Sequence, residues 1–473
     1  MTDQELAFTP AWRLRELIVS KHISPVELTE LFLARIQDLD PGLNAYITVA
    51  AEQALANARR AEAEVKPGAI LGRLHGIPIA IKDLTSTRGI RTTRGSLIFK
   101  DFVPEVDEIL VARVRRAGAI ILGKTNTPEF GISATTENLL GDACRNPWDP
   151  ERTSGGSSGG AGSAVAAGLA PLAQGSDAGG SIRIPASLCG VYGIKPTQGR
   201  VARLYQGAGG WGQIAQNGPM TRTVRDAAML LQVMAGPDTA DPTAIKEPPP
   251  DFSAALEAGV RGLRIGWSPA MGSVPVDQEV RRVTAQSLHA FEELGANVEE
   301  ANLPIDHQQV REIFNTLFLS DFAANYSELL DTRGDEMSPF LREMLVRAVQ
   351  WPASKLAKAL RDLEWHRARM ESAMERYDLL LTPTLATTAF PVGQRPRVID
   401  GQAVDPVWGF TPFCFPINLS GQPAASVPCG FSSDGLPIGL HVIGRLGDEA
   451  TVLRASAAFE QARPWANRRP VVF

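Results

Sequence analysis

The chain has 473 residues, of which 44% are hydrophobic and 21% charged, with a formal net charge of −5. This is the balance of a soluble globular protein whose core is large enough to need no staples, and it gives no bulk attraction to nucleic acid or anionic membrane. The four cysteines, Cys144, Cys189, Cys414 and Cys429, form no CxxC pair and are read as buried free thiols of a reducing compartment.

The N-terminus has no positive region followed by an apolar run, and no segment approaches about 18 uninterrupted apolar residues. A cytoplasmic protein with no membrane partner is the expectation. Ser24-Pro25-Val26-Glu27 predicts a capping box with proline at the first helical position. The apolar spacing of Leu28, Leu31, Phe32, Ala34 and Ile36 predicts a helix to about residue 39. A second helix is expected over 49–64. Gly76-Ile77-Pro78-Ile79-Ala80-Ile81 reads as a buried strand ending in Lys82-Asp83. Residues 108–116 read as a helix stopped by Gly118, 119–122 as a buried strand and 123–128 as a loop.

Residues 158–169 predict a helix of small side chains, and 223–235 a helix stopped by Gly236-Pro237. Glu247-Pro248-Pro249-Pro250 is the candidate boundary or exposed connector. A strand at 263–267, a helix at 277–294 and a strand at 297–300 make a βαβ-like passage. Residues 307–376 are helical and more charged, as expected of a peripheral helical lobe. Strands at 378–381, 424–428 and 437–443 and a closing helix at 448–463 complete the chain. The alternation predicts an α/β fold with a mixed or parallel sheet covered by helices.

Residues 153–195 are dense in Gly, Ser and Ala. The first eight resemble a flexible linker, but the stretch continues into the apolar segment 164–170 and into Ser181-Ile182-Arg183-Ile184-Pro185. Such a composition suits backbone N–H groups that must approach a reacting group. Gly155-Gly156-Ser157-Ser158-Gly159 matches G-x-S-x-G, yet a nucleophile elbow needs a strand directly before it, and 148–154 reads as a loop. The G-x-G-x-x-G match at 207–212 opens no βαβ unit and reads as a glycine-rich loop. The six histidines are dispersed, with no i, i+4 metal pair.

Asp177-Ala178-Gly179-Gly180-Ser181 differs in kind. Two glycines allow a turn that aims several N–H groups at one point, as an oxyanion hole requires. Ser181 is then a nucleophile in need of a base. Lys82 can serve if burial lowers its pKa, and a shift of about 3 units costs about 4 kcal/mol. On position alone, Lys82 reads as a solvated strand end paired with Asp83.

These segments resemble the amidase signature family. The resemblance rests on the GGSSGG segment Gly155-Gly156-Ser157-Ser158-Gly159-Gly160 and on Gly179-Gly180-Ser181-Ile182-Arg183-Ile184-Pro185. It extends to Gly193-Ile194-Lys195-Pro196-Thr197, Gly218-Pro219-Met220-Thr221-Arg222-Thr223, Gly76-Ile77-Pro78 with Lys82-Asp83, Gly123-Lys124-Thr125-Asn126, Gly421-Gln422-Pro423 and Gly435-Leu436-Pro437-Ile438-Gly439, almost the whole chain. It implies Lys82 as base, Ser157 as a relay on a cis peptide bond and Ser181 as nucleophile. It also implies an oxyanion hole from the N–H groups of Ala178, Gly179, Gly180 and Ser181. The implied fold is a single layered α/β/α domain over 1–473, with the helical lobe 307–376 within it. No metal or organic cofactor is called for. The implied partner is a small-molecule amide, with a homodimer as the assembly.

Within the family the chain reads as a stand-alone hydrolase of aryl or acyl amides, with esters and carbamates as related substrates. The alternative is the amidase component of glutamyl-tRNA amidotransferase, in which a threonine is expected where Ala178 stands and a polar passage before Gly218. Here the corresponding passages are rich in glycine and, over 408–418, in aromatics, which favours an apolar pocket. The family's acyl-side pocket maps to Phe130, Gly131, Ile132 and Ser133.

Overall fold

The computed structural model describes residues 1–204 and 214–471, so the glycine pattern at 207–212 lies outside the described residues. Among these residues eleven strands form one sheet. From edge to edge they are Tyr46–Val49, Ile120–Thr125, Pro78–Lys82, Leu172–Asp177, Gln216–Thr221, Tyr192–Lys195, Ala424–Phe431, Pro437–Gly444, Leu379–Pro383, Arg264–Trp267 and Asn297–Glu300. The pairs joining Ile120–Thr125, Pro78–Lys82 and Leu172–Asp177 are parallel, as are those joining Leu379–Pro383, Arg264–Trp267 and Asn297–Glu300. The rest are antiparallel, so the α/β fold has a mixed sheet.

Strand alternation divides the core in two. Leu379, Leu381, Ala425, Val427, Leu440 and Val442 pack into one apolar cluster, whereas Leu380, Ala424 and Ile443 belong to the other. Successive side chains point to opposite faces, so one sheet separates the two clusters. Helices Gly159–Ala166 and Val224–Met234 pack against the first cluster's strands, and Arg183–Cys189 packs against Ala424–Phe431 and Pro437–Gly444.

The expected capping box forms. The Ser24 hydroxyl accepts the Val26 and Glu27 N–H groups and opens the helix Pro25–Leu39. Several boundaries move. Val49 ends a strand rather than starting the helix Ala51–Glu64, because it pairs with Gly123 on the next strand. That pairing, with the parallel partner Pro78–Lys82 on the other side, carries Ile120–Thr125 past the expected end at 122. Residues 149–153, read as a loop, are the strand Asp149–Thr153, paired with Arg145–Asn146 in a small separate ladder. The exposed 247–250 segment is a connector, and strands from both sides of it share the sheet. Cys144, Cys189 and Cys414 are buried free thiols, and Cys429 is only half-buried. Among the described residues no helix is long and apolar enough to cross a membrane.

Candidate active site

Lys82 is the last residue of Pro78–Lys82, whose five residues are all buried. Its ammonium is not in solvent, and it does not pair with Asp83. Asp83 turns away to Thr93, whose N–H and hydroxyl both donate to Oδ2. Lys82 Nζ instead lies 2.7 Å from Ser157 Oγ and 3.0 Å from Ser176 Oγ, both neutral. Burial drives its pKa well below the ordinary lysine value, and the pull of nearby Asp177 only partly opposes this. The position is fixed from the main chain too, since the Lys82 N–H donates to Gln174 Oε1 on the neighbouring strand at 3.2 Å.

Ser157 follows a cis Gly156–Ser157 peptide bond. Gly131 approaches it closely. A Cβ on Gly131 would stand 2.7 Å from Leu84 Cδ1 and 3.3 Å from Ser157 Oγ, and its φ of +75° is one that glycine adopts readily. The serine after the relay position ties the two halves of the glycine-rich stretch together. Ser158 N–H donates to the Ser181 carbonyl at 3.1 Å, and its hydroxyl donates to the Ser176 carbonyl at 3.2 Å.

The turn 177–181 is held by a buried charge network. Asp177 ends its strand and accepts the Gly180 N–H at 2.8 Å, the Ile182 N–H at 3.2 Å and the Asn418 amide at 2.9 Å. Arg183, in the first turn of Arg183–Cys189, donates to both carboxylate oxygens. Burial pushes the Asp177 carboxyl up, but Arg183 and Asn418 together hold it well below the usual carboxylate range. His441 closes the network with Nε2 2.9 Å from Arg183 Nη1, and burial, reinforced by that arginine, keeps its imidazole neutral far below the usual histidine range.

This anchoring changes the donor set. The Gly180 N–H is taken by Asp177, while no acceptor among the described residues takes the N–H of Ala178, Gly179 or Ser181. Three of the four expected donors are therefore free. Gly180 itself has φ +122° and packs its Cα face on Cys414.

Half-buried Ser181 opens into a narrow cleft whose space between atoms, open solvent included, is about 250 Å³. Of the residues expected in the acyl pocket, Gly131 and Ser133 line it, whereas Phe130 and Ile132 are packed in the core behind. Ser133 is held by Arg395, which donates to its hydroxyl at 2.7 Å. The opposite wall carries Phe314, Phe318 and Trp408. Within the lobe expected over 307–376, helix His307–Arg333 turns one aromatic face, Phe314, Phe318, Phe322 and Tyr326, inward. The i, i+4 spacing of those four rings was the available signal.

The family model described as Amidase matches residues 27–453. An acylamidase of Rhodococcus erythropolis is 39% identical over 480 residues, covering 99% of this chain and 98% of its own. The glutamyl-tRNA(Gln) amidotransferase A-chain of Moorella thermoacetica is 40% identical over 490 residues, covering 98% of this chain and 99% of its own. Among solved structures, a bacterial aryl acylamidase of the amidase signature family superposes with a TM-score of 0.91 at 32% identity, covering 97% of each chain.

Proposed function

The chain belongs to the amidase signature family and is a hydrolase of carbon–nitrogen amide bonds, and from that premise we propose that it works alone on small aryl or acyl amides through an acyl-enzyme on Ser181. The observation that carries the scheme is the 2.7 Å contact between Ser157 Oγ and Lys82 Nζ, a wholly buried amine that makes no ion pair among the described residues. A lysine so placed is neutral and basic.

Neutral Lys82 takes the Ser157 proton as Ser157 takes the Ser181 proton. A serine suits the middle position because one hydroxyl donates and accepts at once. Ser181 Oγ then bonds to the amide carbon. The developing oxyanion meets the N–H groups of Ala178, Gly179 and Ser181, which have no competing acceptor among the described residues. Collapse breaks the C–N bond as Ser157 returns a proton to the leaving nitrogen. Water, deprotonated by the same relay, cleaves the ester and restores Ser181. Esters and carbamates enter by the same acylation.

A second reading, the glutaminase component of an amidotransferase, is favoured by the 40% identity to the Moorella protein. It predicts turnover of L-glutamine and none of anilides. The decisive experiment quenches the enzyme during turnover of a para-nitrophenyl ester and maps the adduct by peptide mass spectrometry. The acyl mass is expected on Ser181. An adduct elsewhere, or undiminished turnover by Ser181→Ala, overturns the scheme.

A further inference from the structure

Phe314 sits directly against the turn that carries the free N–H donors. A Cβ on Gly179 would lie 2.7 Å from its Cζ, so the ring tip rests on the Gly179 backbone. The ring is fixed on its other sides. It stacks on Phe318 at 5.3 Å, meets Trp408 edge-on at 5.1 Å and tilts against Phe415 at 5.4 Å. Phe318 also meets Trp408 edge-on, at 6.1 Å. These offset and T-shaped arrangements are the favourable ones for aromatic pairs. Phe314, Phe318 and Trp408 are 1%, 3% and 7% exposed, so the wall is packed in place before any substrate arrives.

Among the described residues, none that lines this cleft carries a charged side chain. Arg395 stands behind this lining, bonded to the Ser133 and Thr135 hydroxyls, but no residue of the lining offers a carboxylate to an α-ammonium, and burying that group without a partner is costly. What the wall does match is a flat or extended apolar group. The leaving nitrogen must face Ser157, its proton source, and Gly131, expected on the acyl side, lies instead beside Ser157. The carbon side of the scissile bond is left to face Gly179 and the aromatic wall.

We propose that Phe314, backed by Phe318 and Trp408, is the specificity residue for the acyl group, and that the enzyme takes amides of aromatic or medium-chain apolar acids. This rests on the acyl-enzyme reading above and adds the substrate class to it. A pocket lined with rings discriminates by the apolar surface it removes from water.

The test is a para-nitroanilide series with the leaving group constant and the acyl group varied: acetyl, butyryl, hexanoyl and phenylacetyl. Wild type is expected to prefer phenylacetyl and hexanoyl over acetyl in kcat/KM by about tenfold or more. Phe314→Ala is expected to lower the phenylacetyl-to-acetyl ratio by about tenfold. Phe314→Leu, which keeps most of the volume, is expected to lower it less and serves where the alanine variant does not fold. Phe322→Leu, two turns further along the same face and outside the cleft lining, is expected to leave the ratio unchanged. A parallel fall for all acyl groups in Phe314→Leu, or a wild-type preference for acetyl, overturns the assignment while leaving the acyl-enzyme reading intact. Wild-type failure on every anilide and ester, with glutamine turned over, overturns both.

Discussion

Asp177 and Arg183 are fully buried and lie against each other, with Arg183 Nε 2.9 Å from Asp177 Oδ2 and Nη2 2.9 Å from Oδ1. The pair is what keeps a carboxylate charged directly behind the turn that holds Ser181. Removing the arginine alone leaves that charge buried and uncompensated. Arg183→Met is therefore expected to cost about 3–5 kcal/mol of stability, against about 1–3 kcal/mol for Asn418→Leu, which removes hydrogen bonds but not the counter-charge. Because the folded carboxyl titrates below its unfolded value, this contribution is complete above about pH 4 and fades only below it. Urea unfolding at neutral pH measures both variants. A cost for Arg183→Met no larger than that for Asn418→Leu would refute the charge argument.

Lys82 carries the opposite sign. Its folded pKa is depressed, so between that value and the unfolded value of about 10.4 the unfolded chain binds one more proton. Wild-type stability should rise with pH across this window, and Lys82→Met should lack that rise. The stability of wild type relative to the variant should thus rise towards about pH 10. Activity shares the same group: kcat/KM should fall on the acid side as Lys82 becomes protonated, and Lys82→Met should be inactive throughout. A pH-independent stability difference would mean that the folded lysine is charged.

Ser157→Ala and Ser181→Ala should part company. Loss of Ser181 removes the atom that bonds to substrate and should bring turnover to background. Loss of Ser157 removes the relay but leaves the attacking hydroxyl and the free N–H groups, so a residual rate is expected, reduced by about 10³–10⁴-fold. Stopped assays with a para-nitrophenyl ester resolve the two. Equal residual rates would put the two serines in the same role.

Gly180→Ala tests the packing behind the turn. The new Cβ would stand 2.6 Å from Cys414 Cβ and 2.9 Å from Ile184 Cδ1, at a φ of +122° that an L side chain rarely adopts. The turn must move, and a loss of about a hundredfold in kcat is expected, the scale of one misplaced oxyanion donor. Since the nearest atom is a Cβ, Cys414→Ala should not rescue the variant, whereas Cys414→Gly should recover part of the rate. Equal rescue by both would place the obstruction at the sulfur instead.

Much of this arrangement can be read from the chain before folding, where side chains carry a period. The capping box at Ser24 and Glu27 and the apolar run into Lys82 are clear because they follow rules for single elements. The strand Leu172–Asp177 and the helix Arg183–Cys189 are not clear, because Gly, Ser and Ala leave little periodicity to read. The state of Lys82 is a matter of long-range neighbours. Nothing local says that Ser157 and Ser176, 75 and 94 residues away, will take the place of water. The same holds for Phe314, whose helix is charged enough to pass for a surface element until the sheet shows where its aromatic face lands.

Lys82 and Asp177 end neighbouring parallel strands that share the register Ile81↔Gln174. The spacing between the basic amine and the nucleophile's turn is therefore inherited from backbone ladders in the middle of the sheet, while the wall that meets the substrate arrives on helix His307–Arg333 and the passage around Trp408. Chemistry and selectivity are thereby carried by separate stretches of polypeptide. A library confined to Phe314 and Phe318 should yield enzymes with new acyl preferences and the parent pH profile, because neither side chain belongs to the ladder that positions Lys82.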